Sequence, residues 1–317
     1  MGTIEATGLS KAYDGKLAVD GLSFRVDPGS VTGFLGPNGS GKSTTMRLML
    51  GLDNGQGSTT FDGSPFRQLR DPMRHVGSLL EAKPFHPTRK ARNHLRLLAA
   101  PNGISDARVD EVLEMVGLTS VAADKPRKFS LGMGQRLGIA AALLGDPHTL
   151  ILDEPANGLD PQGIQWLRQL LKDLAGEGRS VFVSSHLLAE MALMADRLVV
   201  IGRGRLLASG PVDDFVKASR SNAIVLRTPD IELLGPVLGQ RGAYLVGGAD
   251  GAYVVTGMAR EQIGDVAHEV GARLHELASR EATLEEAFLE ATGMSEEFIG
   301  HAGALSGEPG SYDGTRA

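Results

Sequence analysis

The stretch Gly36-Pro37-Asn38-Gly39-Ser40-Gly41-Lys42-Ser43-Thr44 decides the fold of this sequence. An apolar run at 31–35 precedes it and a helix-like run at 45–50 follows it, so the order is strand, glycine loop and helix. The glycines allow the backbone to curl so that successive N–H groups point into one cavity, which the positive end of the helix also faces. The pattern predicts an α/β fold that binds a nucleoside triphosphate at this turn. A glycine-rich turn before a helix is the alternative interpretation.

Two side chains of this loop carry the expected chemistry. Lys42 can reach β- and γ-phosphate oxygens as a point charge, and the Ser43 hydroxyl can bind Mg²⁺. The loop does not indicate what the energy of the nucleotide is used for.

Composition excludes several classes of protein. The 317 residues suffice for one large domain and a small one. The net charge is -6, so the composition shows no general excess of basic residues that would bind nucleic acid, and we expect no nucleic-acid partner. The chain has no cysteine, which excludes disulfides and thiol catalysis. We expect no signal peptide at Met1-Gly2-Thr3-Ile4-Glu5, and the apolar runs are shorter than the roughly 18–20 residues that span a bilayer. A membrane role would therefore require a partner chain.

A second chemical motif ends the apolar run Thr149-Leu150-Ile151-Leu152 with Asp153 and Glu154. Open α/β sheets bind ligands at the carboxyl ends of their strands. There Asp153 can orient Mg²⁺ or its waters, and Glu154 can polarise an attacking water. Two solvated carboxylates at a strand end are the alternative.

Two further residues have a functional and a structural interpretation. Tyr13 can stack on adenine with its aromatic face, or it is a partly buried surface tyrosine. His186 ends the apolar strand 180–185 and would face the γ-phosphate if that strand is parallel to the Asp153 strand; otherwise it is structural.

The remaining patterns divide the chain into regions. We expect a nucleotide-binding domain at 1–219, with a helical insert at about 84–145 in which Ser130 is an N-cap. The elements that follow read βαββαβ, which predicts a small ferredoxin-like α+β domain at 220–293 with a last strand at 274–277 and a closing helix around Leu284, Ala287, Phe288 and Leu289. The Gly/Ser/Glu/Pro-rich residues 294–317 are expected to be disordered.

Taken together, these motifs resemble the ATP-binding subunits of ABC transporters over about residues 2–215. Within that family, the chain looks most like the drug-export and bacteriocin-immunity subunits that pair with a separate ABC-2-type permease. The resemblance implies a P-loop NTPase core with an antiparallel β subdomain and a helical subdomain. It also implies roles for these positions: adenine stacking by Tyr13, Walker A at 36–44, the signature at 129–133 with Ser130 and Gly132, Walker B ending at Asp153, the catalytic glutamate Glu154, the D-loop Asp160 and the switch histidine His186.

Two positions depart from the family pattern. The signature reads Phe129-Ser130-Leu131-Gly132-Met133, so Leu131 replaces a glycine, although Ser130 and the Gly132 amide remain. Glu81 stands where a glutamine is expected; a carboxylate can still meet Mg²⁺ or its waters but cannot donate a hydrogen bond as an amide does. The drug-export branch often carries this substitution.

The resemblance also implies an assembly. Walker A of one subunit and the signature of the other would form each ATP site, so the working unit is a homodimer on the cytoplasmic face of the cell membrane, bound to its permease near the 81–88 loop and the helical insert. Two other classes stay open. A soluble ABC ATPase acting on ribosomes or DNA usually has two cassettes or a long coiled coil, and neither pattern is present. A non-hydrolysing nucleotide-binding regulator is disfavoured by Glu154 and His186.

Overall fold

The computed structural model describes residues 2–81, 85–218, 223–247, 251–280, 283–286 and 288. Outside the described residues lie the junction at 219–221, Pro84, two residues of the predicted closing helix (Ala287 and Leu289) and the expected disordered tail 294–317. The boundary between the two domains at 219/220 therefore stays a prediction.

A six-stranded sheet forms the centre of the nucleotide-binding region. Its strands are β3 (Ser30–Leu35), β5 (Val76–Leu79), β6 (Thr149–Leu152), β7 (Ser180–Ser185), β8 (Arg197–Gly202) and β9 (Arg205–Pro211). The spatial order is β5-β6-β7-β3-β8-β9, parallel throughout except for β9, which pairs antiparallel with β8. Every residue of β6 and β7 is buried, as expected of parallel strands covered on both faces. This order brings the carboxyl ends of β6, β7 and β3 side by side.

An antiparallel sheet covers one face of this layer. Its order is β2-β1-β4, formed by β1 (Ile4–Tyr13), β2 (Lys16–Val26) and β4 (Gln56–Phe61). Between the two sheets, the ring of Phe24 lies 5.3 Å from that of Phe182, which lies 4.9 Å from that of Phe34. Such aromatic contacts add to the burial energy of an apolar core.

Helices cover the rest of the central sheet and form the expected insert. The insert contains α3 (Ala91–Ala99), α4 (Asp106–Met115) and α5 (Leu131–Leu143), and the other helices of this region are α1 (Lys42–Met49), α2 (Pro72–His75), α6 (Pro161–Gly176), α7 (Leu188–Met194) and α8 (Val212–Ala218). Ser130 caps α5, because its hydroxyl accepts a hydrogen bond from the Met133 amide at 3.1 Å. The N-cap prediction is therefore confirmed.

The residues after 222 form a separate four-stranded antiparallel sheet with two helices. The elements are β10 (Ala223–Arg227), α9 (Ile231–Gln240), β11 (Tyr244–Gly247), β12 (Tyr253–Thr256), α10 (Arg260–Val270) and β13 (Glu276–Arg280). The βαββαβ order and the sheet order β11-β12-β10-β13 are those of a ferredoxin-like unit. The last strand was predicted at 274–277 but spans Glu276–Arg280, so it begins two residues later. Just before it, the Arg273 carbonyl accepts a hydrogen bond from the Thr228 hydroxyl at 2.6 Å.

The chain then returns to the nucleotide-binding region. Leu284 is 4% and Phe288 2% exposed, and both side chains belong to the main core beneath the central sheet rather than to the core of the second domain. We call these two residues the C-terminal anchor. Among the described residues, no helix is both long and apolar enough to cross a membrane.

Candidate nucleotide site

The glycine loop joins the end of β3 to the start of α1, and its glycines at 36 and 41 are sterically required. A Cβ on Gly41, whose φ is 104°, would stand 2.3 Å from the Ala18 carbonyl oxygen. A Cβ on Gly36 would stand 2.6 Å from the Ile201 carbonyl oxygen. The loop is therefore pressed against β2 and β8, and no larger residue fits without moving a strand. Ser40 is buried, whereas Asn38 and Gly39 lie on the exposed rim of the loop.

Lys42, the first residue of α1, is a buried cation at the centre of this loop. Its Nζ donates to the carbonyl oxygens of Gly36 at 2.7 Å and Pro37 at 3.3 Å, and lies 3.9 Å from Glu154 Oε1. Burial lowers the pKa of Lys42, and the nearby carboxylates of Glu154 and Asp153 oppose that effect. A cation in this position attracts an anion, because a partner charge compensates its lost hydration.

Asp153 and Glu154 follow β6 and are bridged by a serine of the next strand. The Ser184 hydroxyl donates to the Asp153 carboxylate and accepts from the Glu154 amide at 2.9 Å. Glu154 has a left-handed backbone with φ of 49°, which is uncommon outside glycine. This turn directs the Glu154 side chain to His186, whose Nδ1 lies 2.7 Å from Glu154 Oε2. Lys42, Asp153, Glu154 and His186 thus meet at the carboxyl ends of three neighbouring strands.

Tyr13 stands at the end of β1, close to the loop. Tyr13 pairs with Lys16 across the β1–β2 turn. Lys16 is two residues before Ala18, whose carbonyl oxygen lies against Gly41 of the loop. The Tyr13 ring is 46% exposed, with Lys11 Nζ 4.9 Å from the ring centroid, and its hydroxyl donates to Asp53 at 3.0 Å. A half-exposed ring at this end of the sheet can stack on a base.

The predicted signature and D-loop residues form a second group. A Cβ on Gly132 would stand 3.0 Å from the Gly158 carbonyl oxygen, so the signature packs on the D-loop. The carboxylate of Asp160 caps α6 by accepting from the Gly163 amide at 2.8 Å. Among the described residues, no hydrogen bond or ion pair joins Ser130, Gly132 or Asp160 to the glycine loop.

The residues present fit ATP and its metal ion. The loop holds a buried Ser40 hydroxyl with no hydrogen-bond partner among the described residues, together with the Lys42 cation and free space beside Gly39. Ser43 is exposed next to Lys42, Thr44 is half-buried behind it, and Glu81 is exposed two residues after β5. The described residues contain no cluster of three or more acidic, histidine or cysteine ligands. Mg²⁺ needs fewer, since it is usually held by one or two carboxylates with substrate phosphates and water.

Comparison with known proteins identifies the family. A family model described as ABC transporter matches residues 19–157, and a model of a domain of unknown function matches residues 222–285. An uncharacterized ABC transporter ATP-binding protein of Bacillus subtilis is 36% identical over 306 residues, covering 94% of this chain and 99% of the relative. The chain belongs to the ABC transporter ATP-binding proteins. It is an ATP-binding and ATP-hydrolysing subunit.

A further relative supports this assignment, and a solved structure supports the fold. The bacitracin transport ATP-binding protein of Bacillus licheniformis is 43% identical over 222 residues, covering 68% of this chain and 72% of the relative. A dimeric ATP-binding cassette solved in a post-hydrolysis state with ADP and Pi aligns with a TM-score of 0.61 at 24% identity, covering 66% of this chain and 98% of that chain. The second likeness shows the fold, and the predicted P-loop NTPase fold of an ABC ATPase is confirmed.

Sequence reasoning missed two residues of this ABC site. Ser184 was read only as part of a buried strand, although a polar side chain two residues before His186 was the available signal. Gln135 was quoted after the signature without a role; it is 2% exposed, and its Nε2 donates to the Glu154 carbonyl oxygen at 3.3 Å. Both residues hold Glu154 rather than reach a ligand, so they are positioning residues.

Proposed function

We propose that two copies of this ATP-binding protein form a homodimer that powers a separate ABC-2-type permease from the cytoplasmic face of the membrane, in the direction of export. The named transport role of the Bacillus licheniformis relative and the dimeric state of the solved cassette support this proposal. The single observation that carries the chemistry is the contact between Glu154 Oε2 and His186 Nδ1 at 2.7 Å, with Lys42 Nζ 3.9 Å from the other carboxylate oxygen.

Each residue of the site then has a separate task. Lys42 and the loop amides bind the β- and γ-phosphates, and the Tyr13 ring stacks on the base. Ser43, Asp153 and Glu81 are the residues that would hold Mg²⁺, and the ion would supply positive charge against the phosphates. Glu154 accepts the proton of the attacking water, and His186 orients the Glu154 carboxylate toward the γ-phosphate.

The second group of residues completes the site of the facing subunit. Ser130 is exposed at the start of α5, where a helix N-terminus favours an anion, and Gly132 lies half-buried in the same first turn. These groups bind the γ-phosphate held by the loop of the other copy, with Asp160 at the same face. Closure therefore depends on ATP, and its hydrolysis separates the two copies.

The test is ATP hydrolysis by the purified chain, alone and after reconstitution with the polytopic membrane protein that co-purifies with it. We expect hydrolysis that the membrane protein stimulates and that Lys42→Ala abolishes by weakening ATP binding. A chain that hydrolyses ATP but co-purifies with ribosomes or nucleic acid, and with no membrane protein, would contradict the transport function.

A further inference from the structure

Strand β11 of the second domain exposes an unusual pair of apolar side chains. Among the described residues, the two large apolar side chains with the greatest exposure are both on this strand: Tyr244 is 75% and Val246 is 66% exposed. They are two positions apart and therefore lie on one face of the sheet, opposite the face on which Leu245 packs against the core of the domain. Single exposed apolar residues need no explanation, whereas a group of them can mark a contact with another molecule.

The apolar surface continues from β11 across the sheet. Val246 pairs with Val254 of β12, Val254 pairs with Val225 of β10, and Val225 pairs with Ala278 of β13. Residues directly opposite each other in antiparallel strands lie on the same face, so these four side chains form one row. Val254, Val225 and Ala278 are half-buried, and only Val246 is exposed. The exposed part of the row is therefore its end on β11.

β11 is also an edge strand without the usual protection. Among the described residues it pairs with β12 on one side and with no strand on the other, and its sequence Tyr-Leu-Val-Gly contains no charged residue and no proline. The opposite edge, β13, carries Glu276 and Arg280, which form ion pairs with Arg227 and Glu286. Charged residues commonly protect edge strands, because the free backbone groups of an edge can add a strand of another chain. The edge at β11 remains open to such pairing.

The exposed strand is complementary to itself. In an antiparallel pairing with a second copy centred on Leu245, Tyr244 of each copy lies opposite Val246 of the other. An aromatic ring opposite a β-branched side chain is a favourable cross-strand pair. The two four-stranded sheets would join into one sheet of eight strands. A two-fold axis at Leu245 generates this contact and closes it, so that no third copy is needed.

We propose that β11 pairs antiparallel with β11 of a second copy in the ATP-bound homodimer. This inference rests on the proposed function and gives a role to the domain of unknown function matched at 222–285. A strand of four residues buries far less than the roughly 1,000 Å² of a specific interface, so it would not hold two free chains together. Once ATP has joined the two copies, the pairing becomes intramolecular, and even a weak contact then stabilises the dimer.

Cross-linking tests the contact directly, because the chain has no cysteine and a single one can be introduced. The full chain with Glu154→Gln, in which we expect ATP to stay bound, receives Leu245→Cys or, as control, Val254→Cys on the neighbouring strand. The two Leu245 positions would be directly opposite, whereas the two Val254 positions would be three strand spacings apart, about 14 Å. With a bismaleimide shorter than that distance, we expect a cross-linked dimer of Leu245→Cys in ATP and Mg²⁺, little without nucleotide, and none of Val254→Cys.

A charged variant measures how much the contact stabilises the dimer. Tyr244→Lys with Val246→Lys places lysines of one copy opposite lysines of the other, which opposes pairing. The control, Leu97→Lys with Leu193→Lys, alters apolar residues of α3 and α7 that are 54% and 59% exposed. In the Glu154→Gln chain, we expect the β11 variant to raise the dissociation constant of the ATP-bound dimer at least about tenfold and the control to stay within about twofold. Light scattering of a dilution series in ATP and Mg²⁺ measures both.

Each other outcome overturns a defined statement. If the Glu154→Gln chain forms no dimer in ATP, the proposed function fails and this inference falls with it. If the dimer forms but Leu245→Cys does not cross-link, the strand pairing alone fails.

Two further results would contradict the geometry. Cross-linking of Val254→Cys would show that the sheets meet by their faces, and a tetramer in ATP would place the pairing between dimers rather than within one. Cross-linking of Leu245→Cys with no effect of the β11 lysines would contradict the stabilising contribution. Unchanged ATP binding and an unchanged far-ultraviolet circular dichroism spectrum establish that each variant is folded.

Discussion

At the residue scale, Glu154 is held by its neighbours in a left-handed backbone conformation that directs its carboxylate to His186. A left-handed backbone costs a residue other than glycine about 1–3 kcal/mol, and it persists where the surroundings fix it. Here Ser184 bonds the Glu154 amide and Gln135 bonds its carbonyl oxygen, so both sides of the residue are held. The motif Asp-Glu-Pro predicted the two carboxylates. It did not predict the left-handed φ of Glu154, because that conformation is held by Gln135 and Ser184, which lie about 20 and 30 positions away in the sequence.

Ser184→Ala tests this support. The change leaves the Glu154 amide without its partner and removes a hydrogen-bond donor to Asp153, so we expect turnover to fall by about 10–100-fold, the usual effect of losing a group that orients a ligand. ATP affinity should change much less, because Lys42 and the loop are untouched. Ser180→Ala is the matched control: Ser180 is buried on the same strand, and its hydroxyl has no hydrogen-bond partner among the described residues. Equal loss of turnover in both variants would contradict a positioning role.

At the scale of elements, local patterns predicted which segments are helices and strands, and long-range contacts set where they end. The alternation and apolar runs located the strands of the central sheet, and the period of the insert predicted α3 and α4. The start of β13 could not be read in this way. Close to that start, Arg273 donates to the Asp230 carboxylate from its backbone amide and its guanidinium, a contact across 43 positions that no local pattern shows.

The Asp230–Arg273 pair predicts a pH dependence of the second domain. Hydrogen bonds from the Arg273 side chain and then from its amide lower the pKa of Asp230 well below its usual range. A lowered pKa stabilises the fold above the unfolded pKa, about 3.9, and this contribution is lost as the pH falls through the folded pKa. Asp230→Asn should therefore lower the thermal midpoint at pH 7, and the difference from wild type should narrow below about pH 4.

The measurement is thermal unfolding of the full chain between about pH 3 and pH 7. Asp265→Asn on α10 is the control, since Asp265 is exposed and has no ion pair within the described residues. A constant difference between Asp230→Asn and wild type across this range would refute the assignment.

On the scale of the whole molecule, the C-terminal anchor ties the end of the chain to the nucleotide-binding core. The sequence predicted a closing helix around Leu284 and Phe288, but an apolar helix face does not indicate which core it joins. The structure places Glu285 and Phe288 on a cavity of about 450 Å³ that Ser185, His186 and the loop residues 36–38 also line. The segment after the second domain thus lines the same cavity as His186.

Loss of the anchor should reduce stability while leaving nucleotide binding in place. We expect Phe288→Ala to lower the free energy of unfolding by about 3–5 kcal/mol, since the side chain is 2% exposed, and Phe288→Leu to cost less. A chain ending near Arg220 should likewise bind ATP with a lower thermal midpoint, because every chemical motif lies upstream. Calorimetry with and without ATP measures the thermal midpoint and ATP binding of each variant. A soluble, folded truncation that binds no ATP would contradict the prediction that the nucleotide site is complete without the C-terminal residues.

The central claim is that ATP joins two copies through sites that both copies complete. Glu154→Gln tests it, because the amide preserves size but is not a useful base near neutral pH. Hydrolysis should fall by roughly 10²–10⁴ while ATP still binds, so the closed homodimer should accumulate. Adding Ser130→Arg should abolish that dimer by placing bulk and charge at the γ-phosphate of the other copy. Ser105→Arg is the matched control, since Ser105 is also an exposed N-cap of the insert and accepts from the Arg108 amide at 3.3 Å.

The measurement is size-exclusion chromatography with light scattering of these variants, with and without ATP and Mg²⁺. We predict a monomer without nucleotide, a stable dimer for Glu154→Gln and for its Ser105→Arg derivative in ATP, and a monomer for its Ser130→Arg derivative. A Glu154→Gln chain that hydrolyses ATP at the wild-type rate, or one that binds ATP yet stays monomeric both alone and with the permease, would contradict the account.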